Sequence, residues 1–469
     1  MSRPRGLAAL GVAARRGFGR LTPEPFVIAV VLSALVMSAS AAAAIRAGEG
    51  APAAAIAGLL AHWHGSGGLW ALLAFGMQAS LMLVLGTALA AAPAVRRGLG
   101  ALLRIPAGPR SLVAMTAALS VLAGLVNWSL GLVVGALFAR DAGREAARRG
   151  WRLHYPLLCA AGYAGMMTWH GGLSGTAPLK ATTARDLVEV LGPELAARVG
   201  PIPLDQSLFG GLNLVVSGGL VILAPLCFAL LTPREGEDPD PRPAVVDAGA
   251  VDAAAEVEEP APDRIDRIER SPWVTALLAL PLAAALAVFL AGHGVSELDL
   301  NTVNLGLWTA AMILHGRPHR FLAACEAGIR GAAGIFLLFP LYAGIMGLLA
   351  ASGLSQALAA AFADVPARLF AVVTFLAAGL VNLFVPSGGG QWAIQGPILM
   401  ESALARGIDP ATAMMAMAYG DQWTNMLQPF WAVPLLAITG VRARDIVGYC
   451  VLWMALGGLW IAAVLLLWG

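Results

Sequence analysis

Charged residues are scarce in this sequence: Asp, Glu, Lys and Arg together make up only 12% of its 469 residues. Soluble domains carry about 25%, whereas 58% of the residues here are hydrophobic and the mean hydropathy is +0.75. This composition excludes an ordinary soluble protein and predicts a polytopic membrane protein. Several apolar runs reach the roughly 20 residues that span a bilayer, namely 26–45, 68–92, 206–231, 273–292, 331–351 and 446–468.

Cysteine is also rare, and its placement excludes two kinds of site. The cysteines lie in or beside apolar segments, and no two of them have the Cys-x-x-Cys spacing of a metal or redox motif. We therefore expect buried, small hydrophobic residues rather than a disulfide framework. The sequence predicts no metal site and no cofactor; the residues concerned are Cys159, Cys227, Cys325 and Cys450.

Arginine placement predicts the side of the membrane on which each loop lies. Arginines are concentrated before residue 26, in 93–110 and in 140–154. A secretory signal peptide begins in a similar way, but the run 26–45 is longer than its hydrophobic core, so we interpret it as the first transmembrane helix. By the positive-inside rule the three Arg-rich segments are cytoplasmic, and so is the N-terminus.

The segment 111–139 then leaves the cytoplasmic side and returns to it. We predict a re-entrant hairpin with arms of about 14 residues, or ~21 Å, and a turn near Asn127. The same logic in the second half predicts a hairpin over 367–400 that opens from the opposite face, with 401–409 and the C-terminus outside. Two halves of opposite orientation form an inverted-topology repeat, as in many transporters.

The chain is thereby divided into two repeats and a linker. The linker has twelve acidic residues, five Arg and many Pro and Ala, and we predict a flexible cytoplasmic segment. The string Ala-Gly-Leu-Val-Asn occurs once in each predicted hairpin, at 123–127 and 378–382, which supports the repeat. The predicted parts are 1–232 (hairpin 111–139, broken helix 155–179), the linker 233–272, and 273–469 (hairpin 367–400, broken helix 411–440).

One acidic residue lies deep inside an apolar run. Asp421 is at least ten residues from either end of the stretch 411–440, and an ionisable group at such a depth costs roughly 3 kcal/mol or more. Gly420 before it and Pro429 after it predict that the helix is broken there. The alternative is a carboxylate that caps a helix. The predicted coupling-ion site consists of Asn127, Asn382, Asp421 and Asn425.

Glycines and hydroxyl groups mark a predicted substrate site. The run from Ser387 to Trp392 is typical of a loop that feeds a helix N-terminus, where free N–H groups can hold a carboxylate without Lys or Arg. Ser174 and Thr176 would supply hydroxyls from the other half of the chain. The predicted substrate-binding residues are Ser174, Gly175, Thr176, Ser387, Gly388, Gly389, Gly390, Gln391, Trp392 and Trp423.

The same residues also have structural interpretations. The glycine run could serve helix packing alone, and Asn127 and Asn382 could satisfy backbone groups at their own turns. The tryptophans could be core or interface aromatics. His170 could be a gate, a proton relay or a hydrogen-bonded structural residue.

Short motifs from the N-terminal arm to the C-terminus are similar to one known family. They are Gly76-Met77-Gln78, Val126-Asn127-Trp128, Leu132 to Ala136, Ser174-Gly175, Asn301 to Leu305, Val385 to Trp392, Gln395-Gly396-Pro397, Gln422-Trp423 and Gln428 to Trp431. At these motifs the sequence resembles the short-chain fatty acid transporter family of the ion-transporter superfamily. The linker is the most divergent part, and His170 is a departure because we expect glycine there in relatives.

The resemblance implies uptake of short-chain monocarboxylates such as acetoacetate or butyrate across the bacterial inner membrane. It also implies an all-α elevator-type carrier with about ten full spans, two re-entrant hairpins and two broken helices, and by analogy a homodimer. We predict a secondary active transporter driven by H⁺ or Na⁺, and not an enzyme. Its expected partners are a small monocarboxylate and the lipid bilayer, and no nucleic acid.

Two alternatives stay open. One is a carrier of the same fold for another ion or a dicarboxylate, including Na⁺/H⁺ exchange, although the lack of intramembrane Arg argues against doubly charged substrates. The other is a membrane-embedded enzyme that uses His170 and Asp421 as acid and base, which requires the two side chains within hydrogen-bond reach.

Overall fold

The computed structural model describes residues 9–10, 13–14, 25–47, 51–71, 73–233, 264–294, 300–354, 366–383 and 388–468. Throughout these residues the regular structure is helical, which confirms the predicted all-α class. Most of the predicted linker 233–272 lies outside the described residues, and so does Ser387 of the predicted substrate site.

The helices of the described residues are numbered here in chain order. Three short 3₁₀ turns interrupt the series, at Ala164–Met167, Trp169–Gly171 and Asn425–Leu427. The α-helices are α1 Pro25–Ala47, α2 Pro52–His64, α3 Leu73–Ala91, α4 Pro93–Leu102, α5 Pro109–Val126, α6 Trp128–Arg148, α7 Tyr155–Tyr163, α8 Thr176–Ala181, α9 Ala184–Leu191, α10 Pro193–Val199, α11 Gly211–Leu231, α12 Arg264–Glu269, α13 Pro272–His293, α14 Leu300–His315, α15 Pro318–Ala351, α16 Ala367–Asn382, α17 Gly388–Ala405, α18 Pro410–Thr424, α19 Pro429–Thr439 and α20 Ala443–Trp468.

Five helical stretches of the described residues are long and apolar enough to cross a bilayer, by length and composition. A sixth candidate joins α3 to α4 with a bend of 68°. The bend has a local cause, since Ala92 is extended and Pro93 begins a new helix without a free N–H group. The five stretches are Ala29–Arg46, Pro109–Val126, Gly211–Leu231, Ile265–His293 and Ala443–Trp468.

Helices α5 and α6 meet at Asn127 and pack against each other. The Asn127 backbone is extended, and its Oδ1 caps α6 by accepting the N–H groups of Ser129 and Leu130 at 3.0 and 3.1 Å. Both arms are longer than the predicted 111–139, because α6 continues to Arg148. The Arg-rich stretch stays helical since Glu145 pairs with Arg148 and Arg149 one turn later.

Two elements are interrupted near the middle of the molecule. The first runs from α7 through two 3₁₀ turns to α8, so it covers 155–181 rather than 155–179. The second runs from α18 through one 3₁₀ turn to α19, where Pro429 starts the new helix, and covers 410–439 rather than 411–440. The arms α16 and α17 lie beside this second broken element, and α17 continues to Ala405.

The two halves make an equivalent glycine contact. A Cβ on Gly165 would lie 2.1 Å from the carbonyl oxygen of Ser120, and a Cβ on Gly420 would lie 2.2 Å from that of Phe375. Ser120 and Phe375 are separated by the same number of residues as Gly165 and Gly420, and as the two copies of the Ala-Gly-Leu-Val-Asn string. In each half, a broken element therefore approaches a neighbouring helix at a position where only glycine fits.

Candidate functional site

The two interrupted elements cross at a buried acid–base pair. Nδ1 of His170, in the second 3₁₀ turn of the first element, lies 2.5 Å from Oδ2 of Asp421 in the last turns of α18. The side chains are 0% and 1% exposed. The glycines that follow His170 let the chain turn here, and Leu173 N–H then bonds to Leu125 O at 2.7 Å, which fixes the turn on the end of α5.

The second ring nitrogen of His170 identifies the position of the shared proton. Nε2 accepts the backbone N–H of Ala177 at 3.0 Å, so this nitrogen carries no proton. Neutral imidazole then carries its proton on Nδ1 and donates it to the Asp421 carboxylate. With Asp421 ionised, the pair shares one proton and carries a net charge of about −1.

Neighbouring side chains hold this pair in place. Oε1 of Gln422 accepts the backbone N–H groups of His170 and Gly171, both at 3.0 Å. The Trp169 ring stacks on the imidazole, with the ring centroids 4.4 Å apart and the planes inclined by 17°. The first broken element is thereby fixed to the second through both backbone and side chains.

Asn382 fastens the end of α16 to the second break. Its Nδ2 lies 2.7 Å from the carbonyl oxygen of Asp421, 3.0 Å from Oγ1 of Thr424 and 2.9 Å from Oδ1 of Asn425. In return, Nε2 of Gln428 donates to the Asn382 carbonyl at 2.7 Å. The amide of Asn382 thus occupies the centre of this group of oxygens.

The N-terminus of α17 lies directly against the His170–Asp421 pair. A Cβ on Gly388 would lie 2.8 Å from Cη2 of Trp169, 2.9 Å from Cε1 of His170 and 3.3 Å from Oδ2 of Asp421. The first N–H groups of a helix have no partner within the helix and carry partial positive charge. The carboxylate of Asp421 therefore lies beside a helix end that attracts anions.

Four buried N–H donors in and near this region have no hydrogen-bond partner among the described residues. Each such donor costs about 1–3 kcal/mol unless something accepts from it. Two buried acceptors, Asn382 Oδ1 and Gln391 Oε1, also have no partner within this part of the chain, so the unpaired groups are mostly donors and suit a ligand rich in acceptors. The four donors are Trp169 Nε1, Trp392 Nε1, Gln422 Nε2 and Asn425 Nδ2.

The structure brings together part of the predicted site. Gly389 reaches the first half of the chain, because a Cβ there would lie 3.3 Å from Cγ2 of Thr176. Gly175 lies against the His170 carbonyl, 2.2 Å from the position of an added Cβ. Gly390 and Gln391 continue the first turn of α17, and Nε2 of Gln391 donates to Ala378 O at 2.8 Å. The predicted residues at the crossing are His170, Thr176, Asn382, Gly388, Gly389, Asp421 and Asn425.

Three other predicted residues bond elsewhere. The Asn127 amide caps α6 and its Nδ2 lies 3.8 Å from Sδ of Met82, so it is not hydrogen-bonded to the Asp421 group. Oγ of Ser174 accepts the N–H of Trp128 at 3.0 Å. Nε1 of Trp423 donates to Met454 O at 2.8 Å, and its ring packs on Phe375, 4.7 Å between centroids.

Sequence reasoning missed several residues that support the site, among them Gln422, Gln428 and Asn213. Nδ2 of Asn213, on α11, donates to Gly171 O at 2.8 Å, while its Oδ1 accepts from Tyr419 Oη at 3.2 Å. Asn213 is 2% exposed and lies inside the apolar run 206–231. A buried amide in such a run was the available signal.

A hard cation such as Na⁺ needs a shell of oxygen ligands. In this structure Nδ2 of Asn382 takes the position among the oxygens of Asp421, Thr424 and Asn425, and Oδ1 of Asn382 has no donor among the described residues. The described residues also contain no group of three or more His, Cys, Asp or Glu that could hold a metal ion.

The distance that the enzyme alternative required is present. His170 and Asp421 are within hydrogen-bond reach, so geometry alone does not separate a carrier from an enzyme. Comparison with known proteins does. Residues 7–468 match the family described as short chain fatty acid transporter.

Two relatives of this chain have provisional names that describe the same kind of transporter. A protein from Escherichia coli (strain K12), named provisionally as a short-chain fatty acid transporter, is 39% identical over 387 residues, which cover 82% of this chain and 84% of that protein. A protein from Haemophilus influenzae with the same provisional name is 36% identical over 392 residues, again 82% and 84%. A solved transporter, YdaH from Alcanivorax borkumensis, is 18% identical with a TM-score of 0.49, covering 95% of this chain and 98% of that one.

Proposed function

The chain belongs to the short chain fatty acid transporter family, and on that premise we propose a secondary active carrier for short-chain monocarboxylates such as acetoacetate and butyrate. The carrier moves these acids across the bacterial inner membrane and draws on an ion gradient. Membership of the family indicates a transporter rather than an enzyme, and it confirms the resemblance seen in the motifs.

The observation that carries this proposal is the excess of donors around the crossing. The N-terminus of α17 lies against the Trp169 ring, and Nε1 of Trp169 and Nε2 of Gln422, both on side chains at least nine-tenths buried, have no partner among the described residues. A carboxylate accepts hydrogen bonds and donates none, so it satisfies such groups. The apolar tail of a short acid is compatible with the Trp169 and Trp392 rings.

The absence of a nearby guanidinium favours a singly charged substrate. Within the described residues, the hydrogen bonds at the crossing come from backbone N–H groups, amides, hydroxyls and His170, and no Arg or Lys contributes one. Two buried carboxylates would need compensation that this set does not offer. A dicarboxylate carrier is therefore the weaker alternative.

Links at the two ends of the molecule support the proposed topology. Arg96 pairs with Asp141, and Tyr155 Oη donates to Thr439 O at 2.9 Å, so segments assigned to the cytoplasm lie together. Arg198 Nη1 lies 2.9 Å from Glu401 Oε1, which joins α10 to the end of α17 assigned to the periplasm. With the equivalent glycine contacts, these links support the inverted repeat of the proposed elevator-type carrier.

Uptake into proteoliposomes tests the function. Labelled acids with two to six carbons are offered with an inward pH gradient or an inward Na⁺ gradient, imposed separately. We expect accumulation of the monocarboxylates in one of the two arms, and none in protein-free vesicles. Accumulation of a dicarboxylate in place of the monocarboxylates, or equal counts with and without protein, would reject the proposal.

A further inference from the structure

We propose that the coupling ion is one proton carried by Asp421, and that the ionised Asp421 carboxylate competes with the substrate carboxylate for the N-terminus of α17. This inference rests on the proposed function and deepens it. It makes Asp421 an occupant of the anion site that must be neutralised before a substrate anion can bind.

The competition follows from the position of the acid. Oδ2 of Asp421 lies 3.3 Å from where a Cβ of Gly388 would be, at the first residue of α17. The predicted anion cradle of the sequence is thus already next to a carboxylate. Because a helix end attracts negative charge within its first turn, the ionised Asp421 and a substrate anion draw on the same field.

Charge counting shows why both cannot be ionised together. The resting pair has one proton on His170 Nδ1 and one negative charge, and it is almost completely buried. A substrate anion beside it would place two like charges in a site with little water, where each disfavours the other. Neutralising Asp421 removes the repulsion and frees the helix end for the incoming carboxylate.

The geometry also selects the atom that takes the proton. Nε2 of His170 is engaged by the Ala177 N–H, so a second proton on the ring would break that bond. The entering proton therefore forms an O–H bond on the Asp421 carboxyl group, and no other bond is made or broken. The complex has then taken up one proton together with one substrate carboxylate, so no net charge is moved.

His170 is the ionisable side chain that bonds to Asp421. The other ionisable groups lie on the elements packed against α18. Three of them have exposed or partly exposed partners of their own, since Lys180 pairs with Asp186, Glu401 with Arg198 and Asp445 with Arg442. The set is Lys180, Arg368, Glu401, Arg444, Asp445, Tyr449 and Cys450, and α18 itself also carries the buried Tyr419.

The proposed coupling between proton and substrate predicts how the dissociation constant of the substrate depends on pH. If substrate binding requires a proton, then binding must take up a proton, because the coupling between two ligands is reciprocal. Above the pH at which the free carrier protonates, the dissociation constant should rise about tenfold per pH unit, as expected for one linked proton. Below that pH the dependence should disappear.

Calorimetric titration of the purified full-length protein with butyrate, in buffers of different ionisation enthalpy, measures the protons taken up. We expect close to one proton per butyrate for the wild type, in choline as in Na⁺ medium. Asp421→Asn keeps an oxygen that can accept from His170 Nδ1, so it should fold, bind butyrate with a pH-independent dissociation constant and take up no proton. Asp409→Asn is the matched control, because Asp409 is the exposed cap of the same helix.

The results of this titration either support the inference or overturn it. Proton uptake by Asp421→Asn equal to that of the wild type, or no uptake by the wild type, overturns the inference while leaving the carrier function intact. A requirement for Na⁺ also overturns it. If neither protein binds butyrate or its C2 to C6 homologues, the proposed function itself has failed.

Discussion

Gly388 and Asp421 touch across two elements of the second half: a Cβ on Gly388 would lie only 3.3 Å from the Asp421 carboxylate. The same Cβ would lie 2.9 Å from Cε1 of His170, which belongs to the first half. One backbone position is therefore in contact with both members of the buried pair. Any movement of α17 relative to α18 must change the surroundings of the acid, and this links substrate access to its charge.

The contact predicts the effect of a single methyl group. Gly388→Ala places a Cβ within 3.0 Å of the Trp169 ring and of His170, so α17 or the ring must shift. We expect butyrate uptake to fall at least tenfold, with a loss of stability of about 1–3 kcal/mol from overpacking. The control is Gly218→Ala, because this glycine of α11 has open space around its Cβ position. We expect this variant to keep the butyrate uptake and the stability of the wild type. Wild-type uptake by Gly388→Ala would show that the α17 N-terminus is not part of the site.

The His170–Asp421 pair predicts a non-additive double mutant. His170→Ala leaves a buried carboxylate without its donor, which costs about 3–5 kcal/mol when the charge stays. Asp421→Asn should cost less, because the amide oxygen still accepts from Nδ1. In the double variant the penalty of the unpaired charge is absent, so the two costs should not add.

Denaturation of the four proteins in detergent measures this cycle. His64→Ala, at an exposed position at the end of α2, should be neutral. Single costs that add to within about 0.5 kcal/mol would mean that the two side chains do not interact.

The repeated asparagines are predicted to differ in function. Asn127 caps a helix, so Asn127→Ala should cost about 1 kcal/mol and Asn127→Ser should restore the cap and normal uptake. Asn382→Ala removes contacts to three oxygens of the second break and should cost about 2–3 kcal/mol, at roughly 1 kcal/mol per hydrogen bond, and reduce uptake. Thermal unfolding and uptake separate these effects. Loss of uptake in a stable Asn127→Ser would return Asn127 to the coupling site that the sequence predicts.

The sequence was sufficient for the local features of the site. Asp421 in an apolar run, the glycines after His170 and the proline at 429 predicted where the helices break, since each has a direct backbone cause. The partner of Asp421 was not predictable in this way. His170 lies 251 residues away, and the crossing of the two breaks depends on packing among helices that no local pattern encodes. The hairpin ends were misjudged for a related reason, because Arg-rich sequence suits a helix as well as a loop.

One predicted substrate residue could have been placed better from helix geometry alone. Trp423 follows Asp421 by two positions on α18, and two residues span about 200° around a helix, so the two side chains point to opposite faces. The structure shows this: Trp423 packs on Phe375 and bonds to Met454 on α20, whereas Trp169 lies against Gly388.

The two tryptophans therefore predict opposite results for the same substitution. Trp169→Phe keeps a ring for stacking on His170 but removes the unpaired N–H, and loss of one hydrogen bond to a carboxylate, worth about 1.5–3 kcal/mol, should raise KM roughly 10- to 100-fold. Trp423→Phe removes only the bond to Met454 O, so we expect a lower Tm and an unchanged KM. Butyrate uptake at varied concentration, with thermal unfolding of the same preparations, measures both quantities. A raised KM in Trp423→Phe with a normal Tm would return that residue to the substrate site, and an unchanged KM in Trp169→Phe would remove its N–H from the carboxylate contacts.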